Sequence, residues 1–340
     1  MNKPYVRWIA YAVLAAVLIA FPSAAGRYWT DVAVFFGIYV ILGLSLNLIV
    51  GEVGLFNMGH AAFFAVGAYT TAILSTQYGI PLVWLFPVSA ATAALFAYVV
   101  TRPIIHLRGD YLLIVTIGLN EIVRIALINN PGGLTGGPNG LLVLDRITAF
   151  GWSARTPADF YYITWGLIAL IVFALIRLQN SRIGRAWNYV REDEVAASAM
   201  GIDVRWAKSL AFTLGAGLAG AAGTLYAAKI RIISPDSFTF SESVILFCIV
   251  VLGGLGSIPG VIVAAGALMV LPELFRDFLE YRMLVFGAAM IVMMIFRPQG
   301  LWPSRRWVRE LMEEPAAGPG GGPQGPGTGV SAPAAGGAEK

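Results

Sequence analysis

Charge is scarce in this chain: Asp, Glu, Lys and Arg together make up 12% of its 340 residues. Stretches of 15 to 20 residues carry little or no charge, which excludes an ordinary soluble domain. Cysteine occurs once, at Cys248 inside an apolar run, so an intrachain disulfide, a CxxC redox pair and a Cys/His zinc cluster are all excluded. Histidine occurs twice, at His60 and His106, far apart in the chain. No GxxxxGK[ST] phosphate loop is present, and "GGLGSIPG" departs from GxGxxG because Pro259 stands where the last glycine should be. HExxH and GxSxG are also missing, so no catalytic or metal-binding set is visible.

What the chain has is apolar surface, 58% hydrophobic residues with a mean hydropathy of +0.74. A run of about 20 such residues, rising about 1.5 Å each, crosses a hydrocarbon core about 30 Å thick. The expected class is therefore all-α, a polytopic bundle. Candidate spans are 7–22, 32–50, 55–76, 82–101, 111–128, 161–178, 209–228, 242–253, 258–272 and 283–296, about ten helices. With the N-terminus in the cytoplasm, fourteen Lys and Arg residues fall inside and seven outside, the bias expected of membrane topology. That distribution also explains the net charge of +4 without nucleic acid, since the basic residues are spread along connecting segments.

Three regions qualify the scheme. The opening "MNKPYVRWIAYAVLAAVLIAFPSAAG" mimics a signal peptide but reads as a retained first helix with an external turn, residues 1–30. Residues 243–272 are uncharged and too long for one span, and the glycines and Pro259 of "VLGGLGSIPG" predict a break. The loop 129–159 is rich in Gly, Pro and Asn, and reads either as a turn-rich linker or as an external docking surface. The main transmembrane domain is then 31–302. Residues 303–340 form a cytoplasmic tail, expected to be disordered from about 315, where Pro and Gly dominate.

Polar residues inside apolar runs are the candidates for chemistry. In "YLLIVTIGLNEIVRIALI", Asn120, Glu121 and Arg124 lie within a span, with Glu121 and Arg124 at i and i+3. Each charge at that depth costs about 2.5 to 3.5 kcal/mol unless paired or hydrated, so pairing is expected. Two readings stay open, a wall of a translocation path or an ion pair that locks helix packing. His60, at the start of an apolar run, is either a gating or proton-handling group or a helix-start histidine bonded to a neighbour. Gly51, Gly54, Gly59 and Gly67 are weakly echoed by Gly253, Gly256, Gly260 and Gly266. Such interruptions accompany binding regions in transporters, and they also serve close helix packing.

The polar island "NYVREDEVAASAMGIDVRWAK" (188–208) stands out against this background. Trp187, Val190, Val195 and Ala199 provide an apolar side, and Gly201 provides a stop, so the segment reads as a short surface helix on the cytoplasmic side. Glu192, Asp193 and Glu194 would be repelled by anionic lipid, so docking to a soluble partner is favoured over lying on headgroups.

Several long stretches, in order, resemble the permeases of ABC importers for branched-chain amino acids, specifically the LivM-type subunit. They are "LNLIVGEVGLFNMGHAAFFAVGAYTTAIL" (46–74), "LRGDYLLIVTIGLNEIVRIALINN" (107–130), "LTGGPNGL" (134–141), "SRIGRAWNYVREDEVAASAMGIDVRWAKSLAF" (181–212), "ISPDSFTFSESV" (233–244), "VVLGGLGSIPGVIVAAGAL" (250–268) and "FRPQGLW" (296–302). The resemblance implies a non-enzymatic subunit in the bacterial inner membrane, surrounded by membrane lipid. Its implied partners are a second, LivH-type permease, two ATPase subunits that hold ATP and Mg, and a periplasmic or extracellular amino-acid-binding protein.

By the same resemblance residues 188–201 are a coupling helix, with Arg191, Glu192, Asp193, Glu194, Ala196, Ala197 and Gly201 contacting an ATPase. Ala196, Ala197 and Gly201 fit the Glu-Ala-Ala pattern with its later Gly, but Val195 occupies the Glu position. Path candidates are Asn47, Asn57, His60, Asn120, Glu121, Arg124, Gly253, Gly254 and Gly256. Cargo would be leucine, isoleucine, valine or a related amino acid; urea or a short amide is the alternative. A membrane-embedded enzyme or passive channel is the reading from another class, and it lacks any catalytic motif.

Overall fold

The computed structural model describes residues 4–107, 109–143, 147–149, 152–154, 156–274, 287–288, 291 and 300–302. Of the sequence-based expectations, the tail at 303–340 lies outside these residues, as does nearly all of the candidate span at 283–296. The described part is overwhelmingly helical, with only two-residue strand pairs between helices.

Helix α1 (Pro4–Val53) is bent by Gly26, whose φ of 74° and ψ of 174° no helix contains. Leu18 and Phe21 before the bend and Val32, Ala33 and Phe36 after it line one apolar cavity of about 300 Å³, so the helix folds back on itself. The spans expected at 7–22 and 32–50 thus lie on either side of a turn that narrows to the single non-helical residue Gly26. Helices α2 (His60–Tyr78), α3 (Leu82–Ile104) and α4 (Asp110–Ile128) follow. Gly79 closes α2 in the left-handed region, its N–H meeting the carbonyls of Leu74 and Ser75.

After α4 the chain makes tight turns organised by Asn130, whose side-chain oxygen accepts from the backbone N–H groups of Thr135 (2.8 Å) and Gly136 (3.1 Å). Strand β1 (Leu141–Leu142) and the hairpin β2 (Thr148–Ala149) and β3 (Trp152–Ser153) complete this connection. Helix α5 (Pro157–Gln179) starts from a full capping box, Thr156 with Asp159, and proline at its first position. Next come α6 (Arg182–Glu192), α7 (Glu194–Ala199) and the long α8 (Val204–Ile230). Strand β4 (Ile232–Ile233) pairs antiparallel with β1, Leu141 opposite Ile233, tying the α4–α5 connection to the segment that follows α8. A 3-10 turn (Pro235–Phe238), α9 (Phe240–Gly253) and α10 (Ile258–Leu274) end the described helices.

Six of these helices are long and apolar enough to cross a membrane. These six are counted among the described residues and by helix length and composition alone, so they leave the expected number of about ten undecided. Residues 4–53 count once among the six although Gly26 divides them, and α2 begins only at His60 and carries Thr70, Thr71, Ser75, Thr76 and Gln77. The apolar part of α10 is a shorter helix, Ile258–Val270. The predicted interruption between spans is present, with α9 ending at Gly253 and α10 starting at Ile258.

The tightest packing lies among α2, α3 and α8, where small residues let backbones meet. A Cβ on Gly67 would collide with the Gly220 backbone, and one on Gly223 would press on Ala68 and Phe64. Hydroxyls bond across the same helices: Thr71 reaches Ser89 (2.7 Å) and Thr224 (2.9 Å), all fully buried or nearly so. The second arm of α1 packs against α5 near Gly37 and Thr164, and against α10 near Gly43 and Val261.

Candidate functional site

Two sets of polar residues are built into this apolar frame. The first lies where helices begin in mid-bundle. Between Val53 and His60 the chain is non-helical. It turns back alongside α1, so that Ser45 Oγ and His60 Nε2 are 2.6 Å apart. Ser45 precedes Val53 by eight residues. The start of α2 is therefore about 12 Å inward from the end of α1. Asn57 faces His60 Nδ1 (3.4 Å) and its Oδ1 accepts the Gly59 N–H (3.0 Å). Thr116 of α4 accepts the Met58 N–H (3.2 Å), and Ser243 of α9 accepts the Ala61 N–H (3.0 Å).

The segment 231–239 enters the bundle from the opposite end and starts α9 at the same depth. Asn120 of α4 donates to the Phe238 carbonyl (3.5 Å), and its buried Oδ1 has no partner. One turn further along α4, Arg124 is held between Glu121 (2.9 Å) and Asp236 (3.0 Å). Asn57, His60 and Asn120 are buried, whereas the Glu121, Arg124 and Asp236 side chains are 46%, 26% and 74% exposed. The structure therefore separates the predicted path residues into an enclosed cluster and an open polar strip.

The second set surrounds Arg191, at the end of the bundle where α6 and α7 lie. Arg191 Nη1 donates to the Gly51 carbonyl (2.5 Å), which lies in the last turn of α1. Its stem packs where a Cβ on Gly54 would be, and Nη1 borders Gly256. Gly256 N–H in turn donates to Asn47 Oδ1 (2.9 Å), and Glu52 accepts from Gln179 Nε2 (2.6 Å). Gly254 (φ 102°) and Gly256 (φ 79°) form the turn between α9 and α10 in conformations that favour glycine. Gly253 lies so near Gly260 that a Cβ there would meet the Gly260 backbone at 2.7 to 2.8 Å. Asn47, Gly253, Gly254 and Gly256 therefore hold helix ends together, apart from the strip at Glu121 and Arg124.

The polar island folds differently from the single surface helix expected at 188–201. Asp193 is extended (φ −153°, ψ 113°) and divides it into α6 and α7. Asp193 Oδ1 caps α7 by accepting from Val195 (2.7 Å) and Ala196 (3.0 Å), a local bond that competes with continued helix. Trp187 is fully buried and donates to the Ala207 carbonyl (2.8 Å), anchoring α6 to α8. Val195 and Ala199, expected on the apolar side, are exposed; Ala197 is the buried member of α7. Glu194 pairs with Lys208 (2.5 Å), whose side chain is almost wholly buried. Glu192, Ala196 and Gly201 lie on the exposed surface with Met200 and Trp206.

Sequence reasoning missed Asp236, Ser45, Thr116, Ser243 and Lys208. Asp236 had no clear signal, because Lys229 and Arg231 are nearer in the chain than Arg124, its partner in the fold. The hydroxyl residues had none, since serine and threonine are common in membrane helices for packing alone. Among the described residues no group of three His, Cys, Asp or Glu side chains gathers as a metal site.

The fold and these sites define a multi-pass α-helical membrane protein with helices interrupted inside the bundle and a folded polar knob at one end. The chain belongs to the family described as branched-chain amino acid transport system / permease component, whose model matches residues 28–294. It is 43% identical over 321 residues to the high-affinity branched-chain amino acid transport system permease protein LivM of Escherichia coli (strain K12), covering 88% of this chain and 75% of that one. It is 42% identical over 316 residues to LivM of Salmonella typhimurium, covering 86% and 74%. The permease protein LivH of Escherichia coli (strain K12) is 27% identical over 288 residues, covering 77% and 90%. These relatives are transport permeases rather than enzymes. No solved structure gives a significant match.

Proposed function

We propose that this chain is a permease subunit of an ATP-driven importer that moves leucine, isoleucine, valine or a related amino acid across the bacterial cytoplasmic membrane. The observation that carries the reading is the 43% identity to a LivM permease along 88% of the chain. A second, LivH-type permease completes the membrane part. Two ATPase subunits hold ATP and Mg beneath it, and an external binding protein delivers the amino acid. This chain binds no nucleotide itself.

The α6–α7 knob is the coupling element on the cytoplasmic side. Its exposed residues combine Val195, Ala196, Ala199, Met200 and Trp206 with the acids Glu192 and Asp203, a compact apolar and charged surface suited to a groove in a soluble partner. Arg191 is the link inward, because it ties this knob to α1 and to the α9–α10 turn together. Motion of the knob driven by ATPase closure is transmitted at those helix ends. Of the proposed ATPase-coupling residues, Glu192, Ala196 and Gly201 face out, Asp193 and Ala197 shape the knob, and Glu194 braces it.

Ten crossings remain the best count when Gly26 is the outer turn of the first hairpin. Helix α10 leaves the knob end at Ile258, yet Leu301 and Trp302 hydrogen-bond back to Leu252 and Gly253 at that end. That return to the same end supports the tenth span expected at 283–296.

The test is uptake in cells that lack other importers and express this chain with its partner subunits. ATP-dependent accumulation of leucine, isoleucine or valine is expected. Accumulation of urea or a short amide in place of these would replace the cargo, and transport without the ATPases would refute the importer.

A further inference from the structure

We infer that the seam between α4 and α9 is this chain's wall of the translocation path, and that the second permease subunit closes it. The inference rests on the importer reading and adds which face of the chain does the work.

The argument starts from an imbalance of exposure. Only 17% of α4 is buried, although α4 is apolar enough to cross a membrane. Tyr111, Ile114, Gly118, Ile122 and Ile125 form its open face. Exposed apolar residues alone would suit lipid, and α3 and α5 show the same on Leu95 and Leu170. What sets α4 apart is the polar strip along its edge. Arg124 donates to both Glu121 and Asp236, and all three side chains are partly exposed. Counting from Asp110, Glu121 and Arg124 are 11 and 14 residues along. They therefore stand about 16 and 21 Å along a helix about 28 Å long, inside the hydrocarbon depth.

Two carboxylates and one guanidinium leave the strip with an unbalanced negative charge, and Glu121 and Asp236 are too open for lipid to touch without a cost of several kcal/mol. Water or protein must cover them. The seam continues toward the knob end as a ridge of Phe56 and Phe247, ring centroids 6.3 Å apart, with Phe240, two turns before Phe247 on the same side of α9, exposed between ridge and strip. A hydrated strip leading to an aromatic ridge fits a small zwitterion with an aliphatic side chain. The flanking apolar face of α4 fits a helix of the partner permease.

The experiment uses the assembled transporter with Cys248→Ser as background. Glu121→Cys and Phe240→Cys test the seam, with Leu95→Cys and Leu170→Cys as lipid-facing controls. A membrane-impermeant thiosulfonate is expected to label the seam positions at least about tenfold faster than the controls, because lipid excludes a charged reagent. Gly118→Cys and Ile122→Cys are expected to cross-link to the second permease, and the controls are not. Seam labelling no faster than at Leu95→Cys, or cross-links formed from α3 or α5 in place of α4, would overturn the inference. Loss of ATP-dependent uptake by the unmodified complex would instead sink the importer reading. Should Glu121→Cys fail to fold, Phe240→Cys carries the labelling test.

Discussion

Helices α8 and α4 are both candidate membrane spans, yet 67% of one is buried within the chain and 17% of the other. The difference lies in side-chain size and not in greasiness. α8 carries Gly215, Gly217, Gly220 and Gly223 among alanines, so α2 and α3 come within backbone contact of it. α4 carries isoleucine and leucine, which hold neighbours away, and its polar groups reach only the helix starts at α2 and α9. In lipid, apolarity does not draw helices together, because tails are as apolar as leucine; close approach and hydrogen bonds do. The first region is thus built to stay shut and the second to meet something else.

The comparison breaks first at the core. Gly67→Leu places a branched side chain against the Gly220 backbone, and folded protein in detergent is expected to lose about 3 kcal/mol or more, to the point of failing to accumulate. A Gly67→Leu variant with an unchanged melting temperature would refute the close packing. Glu194→Lys comes next, since it sets a second cation against the buried Lys208. A loss of about 3 kcal/mol is expected at the α7–α8 junction, read as protease cleavage near 193–203, with insertion of the other helices intact.

Arg191→Ala removes the guanidinium from the Gly51 carbonyl. Coupled uptake is expected to fall about tenfold while ATP hydrolysis by the complex continues, since a charged hydrogen bond contributes about 1.5 to 3 kcal/mol. Equal losses of hydrolysis and uptake would argue against transmission through Arg191. Thr71→Val cuts the hydroxyl cluster and is expected to lower stability by about 1 kcal/mol. On the open face, Ile122→Ala is expected to change the melting of the isolated chain by under about 0.5 kcal/mol, because its side chain has little to lose.

Much of the organisation was readable from residues alone. The uncharged run at 243–272 had to break, and it does so at its glycines, with Gly254 and Gly256 in left-handed turns. The pairing of Glu121 with Arg124 followed from their spacing and the cost of bare charge. A turn within residues 1–30 was expected, but its narrowing to Gly26 alone was not readable, because "FPSAAGRYWT" looks like a longer loop. The split at Asp193 was missed for a similar reason. Ala-rich sequence favours a continuous helix, and the aspartate's bonds to Val195 and Ala196 outweigh that propensity.

By itself the sequence determined that the chain is a membrane helical bundle with one conspicuous polar element, because hydrocarbon thickness and the cost of buried charge act on any chain that carries these runs. Only the tertiary structure decided which polar residues share a site. Asn57, His60 and Ser243 come from segments up to 186 residues apart, and no local pattern encodes the depth at which two interrupted helices meet. That depth is set by where small side chains let backbones touch, which is a property of pairs of helices and not of either one.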